Sequence, residues 1–292
     1  MTQAIAAPAA RTGHDTVGLP RLFAAELRWI FRRPRTLIVL AMLALIPVVI
    51  GIGLTLVDSN ADTGPSNDSG GGALLGTAVS NAFVLPIAAL TLTITLLLPL
   101  ASAMAGADAI AGEAAHGTLR GWLVAPVSRG RLLAVKAFGV GVVSLVATFA
   151  MTLTAVLTGL IINGSDSLFT LSGTTLSLTD ALGRILLVAC WVTLQLWAVG
   201  AVALAISAWT EHPMLVVSSV LAGTIVFTIL GFLSAVDWLH PFLLNKNWTS
   251  APVGVLMDPL DLTELNQGAL RALCYIVVAL SLAYARLTTR DG

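Results

Sequence analysis

The sequence predicts an all-α polytopic membrane protein: six transmembrane helices, an N-terminal amphipathic interfacial helix, and both termini cytoplasmic. Three observations carry this. Of 292 residues, 57% are hydrophobic, and the mean hydropathy is +0.93. Only 10% are charged, against about 25% in soluble domains, too few to clothe a water-facing surface. The apolar residues fall into six runs that approach or exceed the roughly 20 residues needed to cross a hydrocarbon core about 30 Å thick. The 15 Lys+Arg balance 15 Asp+Glu, so no basic excess points to nucleic acid.

Residues 1–18 read as a flexible cytoplasmic tail, and 19–292 as one six-span domain. From 19 to 33, Leu22, Phe23, Leu27, Ile30 and Phe31 recur at helical spacing, while Arg21, Glu26, Arg28, Arg32 and Arg33 fill much of the rest. This is the pattern of a helix lying in the inner headgroup layer. The spans follow at Thr36–Val57, Ala82–Ala107, Ala137–Ile162, Ile185–Ala208, Met214–Val236 and Ala272–Ala285 with flanking turns. Arg271 and Arg286 bracket the short sixth span and are expected to snorkel to opposite interfaces. The first apolar run is too long for a signal-peptide core, and Val57-Asp58-Ser59 is no small-residue cleavage site, so it reads as a retained span.

An even number of spans puts both termini on one side, and Lys and Arg choose it. The leading segment carries Arg11, Arg21, Arg28, Arg32, Arg33 and Arg35. The connection between spans two and three carries Arg120, Arg129, Arg131 and Lys136, and the tail Arg286 and Arg290. The other side keeps only Arg184, Lys246 and Arg271, and is rich in Asp. There, the loops 58–72 and 163–180 read as bland connectors. The tract 237–268 is too apolar for a free loop: it reads as short helices in the outer leaflet, with Trp238 and Trp248 at headgroup depth.

Chemistry of its own is not visible. There is no G-x-S-x-G, no H-E-x-x-H and no Cys/His cluster. Cys190 and Cys274 sit in apolar runs as small hydrophobes. A phosphate-cradling P-loop needs Gly-Lys, a dipeptide found nowhere in the chain. The centres of the spans hold no charged residue, which disfavours a proton relay or charge-coupled carrier. The chain therefore reads as no enzyme, binding no cofactor or metal, and any uphill work needs energy from another chain.

The one dense motif is the cytoplasmic connection 106–136, GADAIAGEAAHGTLRGWLVAPVSRGRLLAVK. Gly117 can end one helix, Thr118 can begin another, and Pro126 can end that. Ser128 is placed to cap the helix that becomes span three. Leu119, Trp122 and Leu123 give the short helix between the breakers an apolar side. Arg129, Arg131 and Lys136 also serve as topology determinants, whereas acids do little for topology. Asp108 and Glu113 therefore call for partners, within the loop or on the interfacial helix.

Here the sequence resembles the type-2 ABC exporter permeases. The resemblance is carried by Asp108, Glu113, Gly117, Thr118, Leu119, Leu123, Pro126, Ser128, Arg129, Leu133 and Lys136. It implies a transport subunit of the cell membrane that pairs as a homo- or heterodimer and docks a separate P-loop ATPase, on which ATP and Mg²⁺ bind. It implies that 106–136 is the coupling segment, with Asp108, Glu113, Gly117, Thr118, Leu119, Arg120, Pro126 and Arg129 at the ATPase contact. Arg28, Arg32 and Arg33 of the interfacial helix share that contact.

Polar residues within the spans include Thr91, Thr93, Thr95, Thr148, Thr152, Gln195, Thr224 and Thr228. Their common use is hydrogen bonding between helices or to their own backbone. In permeases resembling this one, spans two and five line the path at the dimer axis, which makes Thr95, Thr224 and Thr228 the candidate cargo contacts. An uncharged lining suits an amphipathic or lipid-soluble cargo such as a drug, antibiotic or lipid. A cargo-less complex for signalling or protein maturation, and an ATP-independent carrier, are the alternatives.

Overall fold

The computed structural model describes residues 18–58, 71–78, 81–115, 128–164 and 170–289. They form an all-α bundle. Among the described residues, five single helices are long and apolar enough to span a bilayer, six if a bent pair is counted as one span. The chain is a multi-pass membrane protein.

Helix α1 (Leu19–Arg32) starts at a proline and buries one stripe, Leu22, Glu26 and Ile30. It ends because Arg33 precedes Pro34, and a residue before proline avoids the helical region. Arg33 is extended, with φ −77° and ψ 119°. Helix α2 (Pro34–Asp58) is the first span. Helix α3 (Gly71–Ala78) then forms a short element that takes in the last two residues of the connector 58–72.

The second span is not one helix. Helix α4 (Val84–Thr93) and helix α5 (Leu97–Ala107) meet at a 56° bend. Pro99 explains the break: it has no amide to donate, and its ring clashes with the carbonyl four residues back, that of Thr95. Placed in the first turn of α5, it costs little. The last residues of α5 run into a π-helical turn, Asp108–Gly112, and a further turn, Glu113–Ala115.

Helix α6 (Arg129–Asn163) has 35 residues, long enough at about 1.5 Å per residue to reach well past the hydrocarbon. It begins at Arg129 and not near Ala137, so Lys136 belongs to the helix. Ser128 does occupy its N-cap position, with an extended backbone, but its hydroxyl makes no capping bond. Helix α7 (Leu178–Ser207) is capped by Ser177, whose hydroxyl accepts from the Asp180 amide at 3.1 Å. Helix α8 (Pro213–Phe232) buries only Val216, Val220 and Thr224 and is the most exposed span. A 3₁₀ segment (Ser234–Phe242) and helix α9 (Ser250–Gly254) lead to helix α10 (Thr263–Thr289). The sixth span is therefore a full-length crossing, longer than the apolar run Ala272–Ala285 suggests.

The core lies where α5, α6 and α7 cross. Small residues let the backbones close in: a Cβ on Gly106 would meet the Gly200 carbonyl and Ala203, and one on Gly200 would meet Val140 and Ser102. Ser102 bonds the Ser144 hydroxyl at 3.0 Å and the Leu196 carbonyl at 2.6 Å. The first two turns of α4 are sealed, with Val84, Leu85, Ile87, Ala88, Ala89 and Leu90 at most 1% exposed.

At the far end from α1, the tract after α8 folds onto the bundle. Trp238 is 73% exposed, but Trp248 is 3% exposed and donates to Gln195 Oε1 at 3.2 Å. Trp248 is thus packed inside the bundle, where its indole N–H donates to a buried amide. Arg271 is engaged within the same tract: it donates to the Leu243 carbonyl at 3.1 Å and faces Asn247 Oδ1 at 3.4 Å. Arg184 donates to the carbonyls of Val255 and Met257 and pairs with Asp258 at 3.3 Å. The loop before α7 joins in, with the Leu171 amide on the Leu256 carbonyl at 2.9 Å.

Candidate functional site

Three elements converge at the end of the bundle that carries α1: α1 itself, the turn after α5, and the first turns of α6. Each contributes a charge. Lys136 of α6 is 1% exposed, Glu26 of α1 4% and Glu113 2%. The Lys136 ammonium donates to both Glu26 oxygens, at 3.0 and 3.1 Å, and to Glu113 Oε1. Taking such charges out of water costs several kcal/mol each, so the arrangement stands only because each carboxylate meets the ammonium. Lys136 also lies 5.0 Å from the centre of the Trp29 ring.

A second cluster sits beside the first. Arg33 and Arg35, on either side of Pro34, reach Asp108 Oδ2 at 3.8 and 3.6 Å. Arg33 stacks on Trp29, 3.3 Å from the ring centre. Burial pulls the Arg33 guanidinium below its usual range, while Asp108, then Glu113 and Glu26, hold its charge, and Arg35 opposes it. The crevice between the clusters is narrow, about 50 Å³, and is lined by Trp29, Arg33, Asp108 and Lys136 among others. It is a packed joint rather than a ligand cavity.

The two acids act together because of the π-turn. Residues five apart in an α-helix diverge, whereas i→i+5 closure brings Asp108 and Glu113 to neighbouring directions. A side chain wedged into the ladder produces such a turn, and here it is Ser207, fully buried at the end of α7. Its hydroxyl donates to the Ala107 carbonyl at 3.2 Å and accepts from the Ala111 amide at 2.7 Å. Those two backbone groups would bond each other in an unbroken α-helix.

The structure thus gives Asp108 partners on the flank of α1, Arg33 and Arg35, and gives Glu113 a partner on α6, Lys136. Gly117, Thr118, Leu119, Arg120 and Pro126, and with them the short helix between the breakers, lie outside the described residues. Arg129 donates to the Leu287 carbonyl and braces α6 against the end of α10. Arg28 and Arg32 are exposed and Arg33 is engaged. Thr95 bonds the Leu92 carbonyl and lines an open cavity at the opposite end. Thr224 and Thr228 do not line that cavity. Thr224 bonds its own helix, and Thr228 accepts from Asn245 at 2.9 Å.

Glu26, Trp29, Lys136 as a buried ion, and Ser207 are the residues that sequence reasoning passed over. Glu26 had a signal: it stands between Leu22 and Ile30 at four-residue spacing, an acid in the middle of an apolar stripe.

A family model described as ABC-2 family transporter protein matches residues 21–292. No curated protein matches the chain.

Proposed function

The chain belongs to the ABC-2 transporter family, and from that premise we propose an exporter whose ATPase drives it through the buried ion cluster. Membership makes the chain a membrane permease subunit of an ABC transporter, with the ATPase on a separate partner. In our reading, two permease subunits pair and each docks a P-loop ATPase at the α1 end, which faces the cytoplasm with both termini. ATP and Mg²⁺ bind the partner. The cargo, an amphipathic or lipid-soluble molecule, leaves the cell.

The observation that supports this reading is the Lys136 ammonium shared by Glu26 and Glu113. Displacement of the connection carrying Glu113 cannot leave Lys136 behind without stranding a buried charge. A push on residues 116–127 therefore reaches α1 and the long α6 together. Close packing of α5, α6 and α7 passes the motion on, since packed interfaces switch between arrangements and do not deform smoothly.

Co-purification in detergent tests the partnership, followed by reconstitution into vesicles with ATP supplied on the ATPase side. The expected result is an ATPase at one per permease, and hydrolysis coupled to movement of cargo away from it. Glu113→Gln should hydrolyse ATP with transport reduced at least tenfold. An ATPase that docks at the Trp238 end, or full coupling in Glu113→Gln, would overturn the reading.

A further inference from the structure

We propose that the open cavity at the α4–α5 break binds the cationic group of an amphipathic organic cation. The inference rests on the permease reading above and narrows its cargo class. The cavity has a volume of about 890 Å³, within the range of about 300–1,000 Å³ typical of small-molecule sites. Its floor is the break itself, with Thr91, Leu92 and Thr95. Its rim is the tract before α10, with Met257, Asp261 and Glu264. Apolar walls interleaved with hydroxyls suit a greasy body with a polar head.

Two features set the sign of that head. Among the described residues, both charged groups of the lining, Asp261 and Glu264, are acidic, and no Lys or Arg lines it. Hydrogen bonds from the Thr263 hydroxyl and amide hold the Asp261 carboxyl below its usual range, so it stays ionised. Helix α4 ends at the cavity and α5 begins there, so their terminal charges oppose each other and leave the sign to the carboxylates. The cations nearby are engaged elsewhere: Arg184 pairs with Asp258, and Arg271 holds Leu243 and Asn247. The two carboxylates repel an anion and attract a cation.

The acids also have a structural use, since Asp261 accepts from the Thr263 amide at 2.9 Å at the start of α10. Asn caps as well as Asp, so Asp261→Asn with Glu264→Gln removes the charge and leaves the cap. The probes are tetraphenylphosphonium and tetraphenylborate, alike in shape and opposite in charge. Equilibrium binding to the purified permease without any ATPase should be saturable for the phosphonium and at least tenfold tighter than for the borate. The double variant should weaken phosphonium binding at least tenfold with an unchanged melting temperature. Asp261→Lys should invert the preference. Equal binding of the two ions, unsaturable binding of the phosphonium, or indifference to the double variant would overturn the proposal. ATP-driven transport in vesicles is scored separately. Phosphonium bound but no cargo driven by ATP would sink the export reading alone, and coupled transport with no phosphonium site would sink this one alone.

Discussion

Ser207 accepts a hydrogen bond from the Ala111 amide at 2.7 Å, filling the place that the Ala107 carbonyl would hold in an α-helix. A single hydroxyl on α7 thereby sets the direction in which Glu113 leaves the end of α5. Without it, the ladder can close, and Glu113 turns away from Lys136.

Ser207→Ala should therefore uncouple more than it destabilises. One buried hydrogen-bond set is worth about 1 kcal/mol, and the freed amide and carbonyl can pair with each other. The melting temperature should move by a few degrees, while transport per ATP hydrolysed falls severalfold. Ser207→Thr, which keeps the hydroxyl, should recover part of the coupling. A variant as well coupled as the wild type would remove the wedge from the mechanism.

Lys136→Met should be among the most damaging single changes. It strands Glu26 and Glu113 side by side in a buried joint, and breaking a buried ion pair costs about 3–5 kcal/mol. Adding Glu26→Gln and Glu113→Gln should restore much of that stability, because a neutral joint no longer buries charge. Transport should stay low in the triple variant, since the tether between α1, the turn and α6 is gone. Denaturation in mixed micelles and vesicle transport measure the two halves. Recovery of both would reduce the cluster to a packing element.

Arg33 and Arg35 both meet Asp108, yet they should not be equivalent. Arg35 is the more exposed, 54% against 30%, and exposed pairs contribute about 0–1 kcal/mol. Arg33 adds the stack on Trp29, worth roughly another 0.5–2 kcal/mol. Arg33→Ala should lower the melting temperature measurably and Arg35→Ala hardly at all. Arg33→Lys should fail to restore it, because an ammonium lacks the planar face that lies on the indole.

How much of this was legible follows from the range of each signal. Hydropathy runs along the chain, so the spans and the amphipathic α1 could be read from it. The need for partners at Asp108 and Glu113 could also be read, because acids have no topological use. Their partners could not. Lys136 looks like one more positive-inside residue, and nothing local says that α6 begins early enough to bury it. Ser207 and Ala111 are far apart in the chain, and a serine closing an apolar helix is ordinary. Trp248 obeyed the statistics of interfacial tryptophan until Gln195 claimed its N–H. Pro99 alone marked the broken span, and a proline in an apolar run is equally compatible with a mild kink.

That last pair carries its own expected outcome. Gln195 is fully buried, and its Oε1 is held by Trp248 while its Nε2 has no partner among the described residues. Trp248→Phe leaves the whole amide unsatisfied and should cost about 1–3 kcal/mol, beyond the small loss of volume. Gln195→Leu in that background replaces the amide with a side chain of similar size and should return most of the stability. The tract between α8 and α10 should respond in step. Limited proteolysis around Asn245 should accelerate in Trp248→Phe and slow again in the double variant, because the plug it carries is seated by the same contact. Equal proteolysis in all three proteins would mean that the tract is held by its other contacts, those of Arg271 and Arg184 among them.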